Sequence, residues 1–399
     1  MVTGSVGKTS TKDAVAAVFS TTTTVRASEK SYNSELGVPL TILGVKNPWK
    51  NVFAWIGVFM TGVGLLLQKK SYPELLVLEV GADRPGDLAR ILRFATPDAV
   101  VVTRLPDVPV HVEAYASTQA VKDEEFTPAY ALAPNAPLIL DCENEYALAM
   151  AKKTRATMHT FGLTCSSDVS LSMVSVMEEK GRVAGMSAVI TIDGKTYPIT
   201  LTGALGAHQL LAPAAALATA RALGVPVAKA LHGLKKYRSP LGRSHILKGI
   251  HGSVLIDDTY NSSPAAAEEA LRSLAQTPSQ GKKIAVLGDM LELGRYSINE
   301  HTAIGEQAKE ICDELVVVGK RSRATGDAAL HAGMPESQVH FFDTALEASE
   351  WILDAAASGD LILIKGSQGM RMERIVEALL QNKEDLQYVV RQEKEWKKR

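Results

Sequence analysis

Thr3-Gly4-Ser5-Val6-Gly7-Lys8-Thr9-Ser10 is the stretch that decides the fold of this chain. It contains the Gly-x-x-Gly-Lys-Thr core of a phosphate-binding loop, in which glycines let backbone N–H groups turn around an oxyanion and a lysine reaches the β/γ-phosphates. The Thr9 hydroxyl suits Mg²⁺, and a helix expected to begin near Lys8 points its positive end at the same anion. The sequence therefore predicts an ATP site formed by Gly4, Ser5, Gly7, Lys8, Thr9 and Ser10.

Two features of this loop leave an alternative open. The usual first glycine of the longer motif would fall at Val2-Thr3, where there is none, so the loop is shortened. A glycine-rich turn before a helix can also occur without a ligand. The helical run from Asp13 to Phe19 directly after Gly-Lys-Thr favours the nucleotide over the plain turn.

The overall composition limits the possible partners and compartments. The chain has 399 residues, 46% of them hydrophobic, and a formal charge of −1, which suits two or three domains and gives no electrostatic basis for binding nucleic acid. Its three cysteines (Cys142, Cys165 and Cys312) are far apart and lack metal-ligand spacing, which favours a reducing cytoplasm over a disulfide framework. No signal peptide precedes the phosphate loop. Only three residues precede Gly4, too few for a full first strand, so we expect an upstream segment to be missing.

The first part of the chain is predicted to form an α/β unit. Buried parallel strands are expected at 75–80, 99–103 and 137–141, and Glu79 near the end of the first lies where open α/β sheets bind ligands. Alternation from Val169 to Thr202 around Asp193-Gly194 predicts a small antiparallel sheet, and an alanine-rich helix follows at 210–223.

A second α/β unit of Rossmann type is predicted beyond Tyr237-Arg238. Its strands are expected at 254–256, 283–287, 315–318 and 361–364, alternating with helices. The charge-dense end, 384–399, is predicted to be a solvated helix or a frayed tail. We therefore divide the chain into a central ATP-binding domain at 1–238, with an apolar insert at 46–73, and a C-terminal domain at 239–399.

The apolar insert contains the least ordinary stretch of the sequence. Residues 51–68 carry no charge and include Trp55 and three leucines in a row, with Lys50 before them and Lys69-Lys70 after them. The stretch is short for a membrane span and contains three glycines. The remaining alternatives are a buried or lid helix, and an interfacial helix that contacts a membrane surface or a lipid-linked substrate.

Several blocks of the chain, in order, resemble one family, the Mur ligases, and among them the branch that adds D-alanyl-D-alanine in peptidoglycan assembly. The blocks are the phosphate loop with Thr11-Lys12, Asn33 to Leu40, Glu79 to Gly86, Val286 to Gly294 with His301, and Lys365 to Glu373. The last block has Gln368 where the family usually has Arg. The resemblance covers nearly the whole chain and implies an ATP- and Mg²⁺-dependent ligase that forms an amide through an acyl phosphate. It also implies a role in cell-wall biogenesis, and thereby in cell shape and division.

The resemblance implies roles for the metal-binding residues. Lys8 would hold the β/γ-phosphates, and Thr9 and Glu79 would bind the first Mg²⁺. His111 matches a family histidine at a second Mg²⁺, and its alternative is a packed or surface histidine. Lys122 aligns with a lysine that is carbamylated in relatives, which would make it an anionic metal ligand. Its alternative is a solvated lysine beside Asp123.

The resemblance also implies roles for residues that bind nucleotide and substrate. Arg243 would close on the phosphates, Asp258 would face the ribose, and Asn261 the site between the domains. Without the family, the Asp257-Asp258 segment is an ordinary strand-to-turn sequence. The remaining substrate residues implied are Asn33, Lys365, Ser367 and Arg371. The guanidinium of Arg371 suits a substrate carboxylate, and a surface arginine is the alternative.

Two departures from the family leave the substrates open. The family has Gly-x-His-Asn-x-x-Asn with asparagines toward adenine, whereas this chain has Gly206-Ala207-His208-Gln209-Leu210-Leu211-Ala212, so only His208 is kept. The family's N-terminal domain for the UDP end of the substrate is not in this sequence, which indicates either a fragment or a ligase with a different acceptor. The expected partners are small molecules: a UDP-muramoyl peptide with an amino acid or dipeptide, or instead a lipid-linked or folate-type carboxylate. A catalytically inactive nucleotide-binding protein is a further alternative. The expected location is cytoplasmic, with membrane association at the inner face through residues 51–68.

Overall fold

The computed structural model describes residues 1–67 and 72–397, and the strands of this part form two large sheets and a small two-stranded one. The first large sheet has seven strands in the order β1-β4-β5-β6-β7-β8-β9. Its strands are β1 Val2–Thr3, β4 Val100–Val102, β5 Pro137–Asp141, β6 Thr157–Gly162, β7 Val169–Glu179, β8 Arg182–Ile192 and β9 Lys195–Thr202.

Within this sheet, neighbouring strands from β1 through β4, β5 and β6 to β7 are parallel. Strands β7, β8 and β9 are antiparallel and are joined by hairpins. The turn at Asp193-Gly194 was predicted, and both residues have positive φ (50° and 73°), as a tight hairpin turn requires. The antiparallel strands extend the parallel sheet, however, and do not form the separate small sheet that the sequence predicted. Alternation alone does not reveal that β7 also pairs in parallel with β6.

The small sheet places Glu79 beside the phosphate loop. It pairs β2 (Val25–Ala27) with β3 (Leu75–Val77), which is shorter than the predicted strand at 75–80. Just after β3, Val2 forms an isolated parallel bridge with Glu79. The chain segment carrying Glu79 therefore runs next to β1, the strand that leads into the loop.

The helices of the first part of the chain lie between and after these strands. The predicted first helix is confirmed as α1, Lys8–Phe19, and the alanine-rich helix as α7, Leu211–Ala222. The alanine-rich helix packs against α1, β5 and β6, and most of its residues are buried. The others are α2 Gly37–Leu43, α3 Val52–Leu67, α4 Asp87–Leu92, α5 Thr118–Tyr130, α6 Glu145–Ala151 and α8 Val227–Leu234.

The second large sheet has six strands in the order β10-β11-β15-β12-β13-β14, all parallel except β10. Its strands are β10 His245–Lys248, β11 Val254–Asp258, β12 Lys283–Gly288, β13 Glu314–Val318, β14 Val339–Phe342 and β15 Leu361–Lys365. Its helices are α9 Pro264–Gln276, α10 Ser297–Lys309, α11 Arg323–His331, α12 Ala345–Ala355, α13 Glu373–Leu379 and α14 Lys394–Lys397. The predicted fold class, a parallel α/β unit with antiparallel strands followed by a Rossmann-like unit, is confirmed.

The apolar insert forms the helix α3, and its surroundings exclude one alternative. None of its residues is buried, so the prediction of a buried helix is wrong. Phe53 and Leu67 are 85% and 80% exposed, and the helix contacts α2. Gln68 and Lys69-Lys70 lie outside the described residues. Among the described helices, we find none with the length and apolarity that crossing a membrane demands.

The cysteines also differ from the expectation. Cys142 and Cys165 form a disulfide with Cα atoms 6.1 Å apart, and Cys312 is free and buried. Cys142 follows β5 and Cys165 follows β6, and these neighbouring strands end at the same edge of the sheet. Pairing of these strands therefore brings together two cysteines that are 23 residues apart in the sequence. The cysteines no longer support a reducing compartment.

Candidate active site

The phosphate loop joins β1 to α1 and depends on two glycines. Gly7 has φ 89° and ψ 0° directly before Lys8, a left-handed conformation that is strained for other residues. Gly4 has φ 118°, and a side-chain carbon there would lie 2.3 Å from Oγ1 of Thr103. The Lys8 ammonium donates to the carbonyl of Gly4 across the loop. The loop therefore bends back on itself, and α1 begins directly after it. This arrangement offers backbone N–H groups and the positive end of a helix to an anion.

Thr9 and Glu79 form the next part of the site. The Thr9 hydroxyl donates to Oε1 of Glu79 at 3.0 Å, and the Ser31 hydroxyl donates to the same oxygen. Glu79 is 2% exposed, yet its Oε2 has no hydrogen-bond partner. A buried carboxylate oxygen without a partner is costly unless a cation or donor completes it. The hydroxyl and the carboxylate are hard oxygen ligands, so these residues fit Mg²⁺.

A cleft of about 410 Å³ opens in front of the loop, and residues from both parts of the chain line it. Most of the predicted site residues meet here. They are Ser5, Gly7, Lys8, Thr9, Asn33, Glu79 and His111 from the first part of the chain, and Arg243, Asn261 and Ser367 from the second. The cleft thus brings the phosphate loop face to face with residues from far along the chain.

His111 bridges the two walls of this cleft. Its Nδ1 lies 2.8 Å from Oε2 of Glu292, and its Nε2 lies 3.5 Å from Oδ1 of Asp83. Burial lowers the pKa of His111, but the hydrogen bond and charge of Glu292, aided by Asp83, outweigh it and raise the pKa overall. The hydrogen bond from His111 in turn lowers the pKa of Glu292. The histidine is held between two carboxylates, as an ion pair across the cleft.

A smaller cavity beside the loop holds the predicted nucleotide residues of the second part of the chain. His208, Arg243, Asp258 and Lys365 line it together with residues of the loop. The Lys365 ammonium donates to Oδ2 of Asp258 at 2.7 Å and to the carbonyl of Asn261 at 3.0 Å. Burial lowers the pKa of Lys365, although Asp258 opposes the shift. Lys365, predicted to bind the amino acid, is thus engaged with Asp258 on the nucleotide side.

Arg243 and the histidine motif complete this cavity. The Arg243 guanidinium lies 4.3 Å from the centre of the Tyr260 ring, and Arg243 lines both cavities. Gln209, which stands where the family has asparagine, is tied to its neighbours: its amide contacts His208 at 2.9 Å and accepts from the Ser239 hydroxyl at 3.2 Å. Its hydrogen-bonding groups are thus occupied within the protein.

Two predicted residues lie elsewhere. Lys122 donates to Asp107 at 2.9 Å and lines a separate cavity of about 880 Å³, away from Glu79 and His111. Arg371 donates to Oε1 of Glu373 at 2.5 Å and is not among the residues that line the cleft. Within residues 1–67 and 72–397, no three His, Cys, Asp or Glu side chains cluster as a metal centre. Of the predicted metal set, Thr9 and Glu79 are in contact and His111 lines the same cleft, whereas Lys122 lines the separate cavity.

The structure adds residues that the sequence analysis missed. Glu292 and Asp83 hold His111, and Glu125 reaches the phosphate loop, where its Oε2 accepts from the Gly4 N–H at 3.1 Å. Glu292 and Asp83 fall inside blocks that carried the family resemblance, so their position was a signal. Glu125 is only three residues after Lys122 on α5, but helical spacing alone does not tell which of the two faces the loop.

Comparison with known families gives matches over most of the chain. Residues 2–55 and 59–220 match the model of the Mur ligase middle domain. Residues 242–368 match the model described as the Mur ligase, glutamate ligase domain. The two matched regions contain the phosphate loop and the opposite wall of the cleft, respectively.

Individual relatives agree with these matches. The chain is 28% identical to UDP-N-acetylmuramoyl-tripeptide–D-alanyl-D-alanine ligase of Bacillus subtilis, over 96% of this chain and 75% of that protein. Its fold is similar to that of MurF from Acinetobacter baumannii, with a TM-score of 0.77 and 22% identity over 96% of this chain and 76% of that one. MurF ligase from Thermotoga maritima in complex with ADP gives a TM-score of 0.74 and 23% identity, over 94% and 78%.

Proposed function

The chain belongs to the Mur ligase family, and on that premise we propose that it adds D-alanyl-D-alanine, or a similar amino acid or dipeptide, to the carboxylate of a UDP-muramoyl peptide. The family membership rests on the middle-domain match, which spans more than half of the chain. The choice of substrates rests on the relatives, several of which are named for this reaction. The product would be a precursor of peptidoglycan.

One observation carries this proposal: a phosphate loop and a second wall face the same cleft. Lys8 and Thr9 stand on one side, and Asn261 and Ser367 on the other. A ligase that joins two substrates at the expense of ATP needs the γ-phosphate, the carboxylate and the amine within one enclosed space. The cleft supplies cations and N–H donors on the phosphate side, where negative charge accumulates during the reaction.

The reaction would proceed in two steps. A carboxylate oxygen of the acceptor attacks the γ-phosphorus of ATP, which forms an acyl phosphate and releases ADP. The amine then attacks the acyl carbon, loses a proton and expels inorganic phosphate, which leaves the amide. Lys8 and the loop N–H groups hold the phosphates, and Arg243, which lines both cavities, is placed to neutralise the transferred group.

Thr9 and the unpartnered oxygen of Glu79 would hold Mg²⁺ at the edge of the loop. When bound, the ion would neutralise charge on the phosphate oxygens. Ser31 has a separate role: its hydroxyl donates to the other oxygen of Glu79 and so fixes the direction of the carboxylate.

Phosphate release from MgATP tests this function. The assay contains UDP-muramoyl tripeptide and D-alanyl-D-alanine, and each is omitted in turn. We expect release only when both are present. Release with neither substrate would indicate an uncoupled ATPase. Phosphate release with a folate-type or lipid-linked carboxylate instead would show that this carboxylate is the acceptor. Nucleotide binding without any phosphate release would support an inactive nucleotide-binding protein.

We also propose that the enzyme works in the cytoplasm and that α3 contacts the anionic surface of the membrane at its inner face. From Leu36 to Pro73 the sequence has four lysines and no acidic residue, whereas the whole chain carries a charge of −1. The helix itself is uncharged and exposes Phe53, Phe59 and Leu66 to 85%, 70% and 79%. An apolar helix with basic flanks suits the boundary between anionic headgroups and acyl chains.

Sedimentation with vesicles tests this contact. We expect the protein to pellet with vesicles of phosphatidylglycerol and much less with phosphatidylcholine. Phe59→Glu should abolish pelleting, whereas Ile298→Glu, at a 72% exposed position on α10, should not. Equal pelleting of both variants would contradict the proposal. If the unmodified chain does not bind vesicles but forms a dimer that Phe59→Glu disrupts, α3 is an interface between two copies of this chain instead.

A further inference from the structure

Helix α5 carries two charged residues that the structure directs to different places. Lys122 and Glu125 are three residues apart, close to one helical turn. The Lys122 ammonium is paired with Asp107, at the cavity that lies away from the cleft. Glu125 is 3% exposed and is directed at the phosphate loop. The helix thus presents a carboxylate, and not a lysine, to the predicted ATP site.

The contacts of Glu125 all lead to the loop. Its Oε2 accepts from the Thr3 hydroxyl at 2.7 Å and from the Gly4 N–H at 3.1 Å. Its Oε1 lies 3.7 Å from Nζ of Lys8. The Thr3 hydroxyl also contacts the backbone carbonyl of Glu125. A carboxylate buried to this degree is tolerated only when it is paired with charge and hydrogen-bond donors, and here every partner belongs to the strand and loop that hold phosphate.

The position of the Lys8 ammonium depends on these contacts. Lys8 donates to the Gly4 carbonyl, and Glu125 binds the Gly4 N–H, so the carboxylate fixes both the backbone that Lys8 contacts and the electrostatic field around its ammonium. Lysine is a flexible point charge, which must be held in place to act on a phosphate. Among the described residues, Glu125 is the acidic residue that lies within ion-pair distance of Lys8, at 3.7 Å.

We propose that Glu125 is a positioning residue that supplies the carboxyl group beside Lys8, so that no carbamate on Lys122 is needed. This inference rests on the proposed ATP-dependent function. A lysine carbamate forms when a neutral amine adds to CO2, whereas the Lys122 amine is hydrogen-bonded to Asp107 and is not among the residues that line the cleft. A glutamate carries its carboxyl group without any reaction with CO2. The site would therefore need no chemical modification of a lysine side chain.

Nucleotide binding tests the positioning role without any acceptor substrate. With the fluorescent analogues mant-ATP and mant-ADP and Mg²⁺, we expect Glu125→Gln to weaken ATP binding by about tenfold and ADP binding by less than about threefold, because Lys8 reaches the γ-phosphate. The matched control is Glu306→Gln, which neutralises an exposed glutamate on α10. An equal loss for both nucleotides together with a lowered unfolding temperature would reduce Glu125 to a structural role, and no change in either would remove it from the site.

A second measurement tests the carbamate directly. The full-length protein is equilibrated with ¹³C-bicarbonate and MgATP, and its carbon spectrum is recorded. We expect no carbamate carbon, and the same ATP affinity with and without bicarbonate. A carbamate signal that maps to Lys122, or ATP binding that requires bicarbonate, would overturn the proposal. Both readouts use only the nucleotide, so a wrong acceptor in the proposed function would leave them intact and would appear instead as absent phosphate release.

Discussion

The two walls of the cleft are built in different ways. On the loop wall, consecutive residues from Gly4 to Thr9 form the predicted anion site, and one buried oxygen of Glu79 has no hydrogen-bond partner. On the side formed by the second part of the chain, two charged pairs are already made: Lys365 with Asp258 in the smaller cavity, and Glu292 with His111 in the cleft. The loop wall is organised to receive a ligand, whereas the charged groups on the opposite wall must exchange partners, or act through neighbours, to bind one.

The largest effect should come from breaking the loop wall. Lys8→Ala removes the cation that faces the phosphates and should lower the rate of phosphate release about 10³-fold. The side chains of Lys8 and its partner Glu125 are only 13% and 4% exposed, so the fold of the variant should be checked by circular dichroism. Turnover within threefold of the unmodified protein would contradict the assignment of this wall to ATP.

A large effect on stability is expected at the Lys365–Asp258 pair of the smaller cavity. Lys365→Met leaves Asp258 buried without its cation, and the Lys365 and Asp258 side chains are only 2% and 8% exposed. We expect the free energy of unfolding in urea to fall by roughly 3–5 kcal/mol. The control is Lys282→Met, which removes an exposed lysine from its pair with Glu314, while Glu314 keeps its contact with His340, and should cost less than about 1 kcal/mol. Similar losses for both variants would show that the pairing in this cavity is not a stabilising feature.

The smallest effect is expected where the two walls meet, at His111 and Glu292. The raised pKa of His111 stabilises the fold below its unfolded value of 6.5, and this contribution disappears as pH rises through the folded pKa. The lowered pKa of Glu292 stabilises it above its unfolded value of 4.5, and this contribution disappears as pH falls through the folded pKa. The contact should therefore be strongest between these two values.

Thermal unfolding measures this contact. Glu292→Gln should lower the unfolding temperature most near pH 5.5, about the middle of that window, and much less at alkaline pH, beyond the folded pKa of the histidine. The matched control is Glu336→Gln, at an exposed position in the same half of the chain. A destabilisation that is the same at both pH values would contradict an ionic contact across the cleft.

The difference between the walls also explains what the sequence could predict. The loop residues are consecutive, so their spacing alone reports their joint function, and Glu79 lies just beyond a strand that ends beside β1. The partners on the other wall are distant in sequence: Lys365 and Asp258 are separated by 107 residues. Their pairing depends on β11 and β15 being neighbours in the sheet, which no local pattern reports.

The same limitation accounts for the residues that were misplaced. Lys122 and Glu125 lie on one helix, and which of them faces the loop depends on how α5 packs against β1 and β4. Arg371 has a left-handed conformation with φ 56°, which directs its side chain toward Glu373. Cys142 and Cys165 meet because two parallel strands end together. In each case the tertiary pairing was the missing information.

Transfer of oxygen from the acceptor to phosphate tests the chemistry of the cleft most directly. The acceptor carboxylate is labelled with ¹⁸O, and the inorganic phosphate released with MgATP and D-alanyl-D-alanine is analysed by mass spectrometry. An acyl phosphate retains one carboxylate oxygen as the bridge, and this oxygen leaves with the phosphate when the amine attacks. We expect one ¹⁸O atom in each phosphate released from a fully labelled acceptor. Phosphate without ¹⁸O, formed alongside the amide product, would contradict ligation through an acyl phosphate.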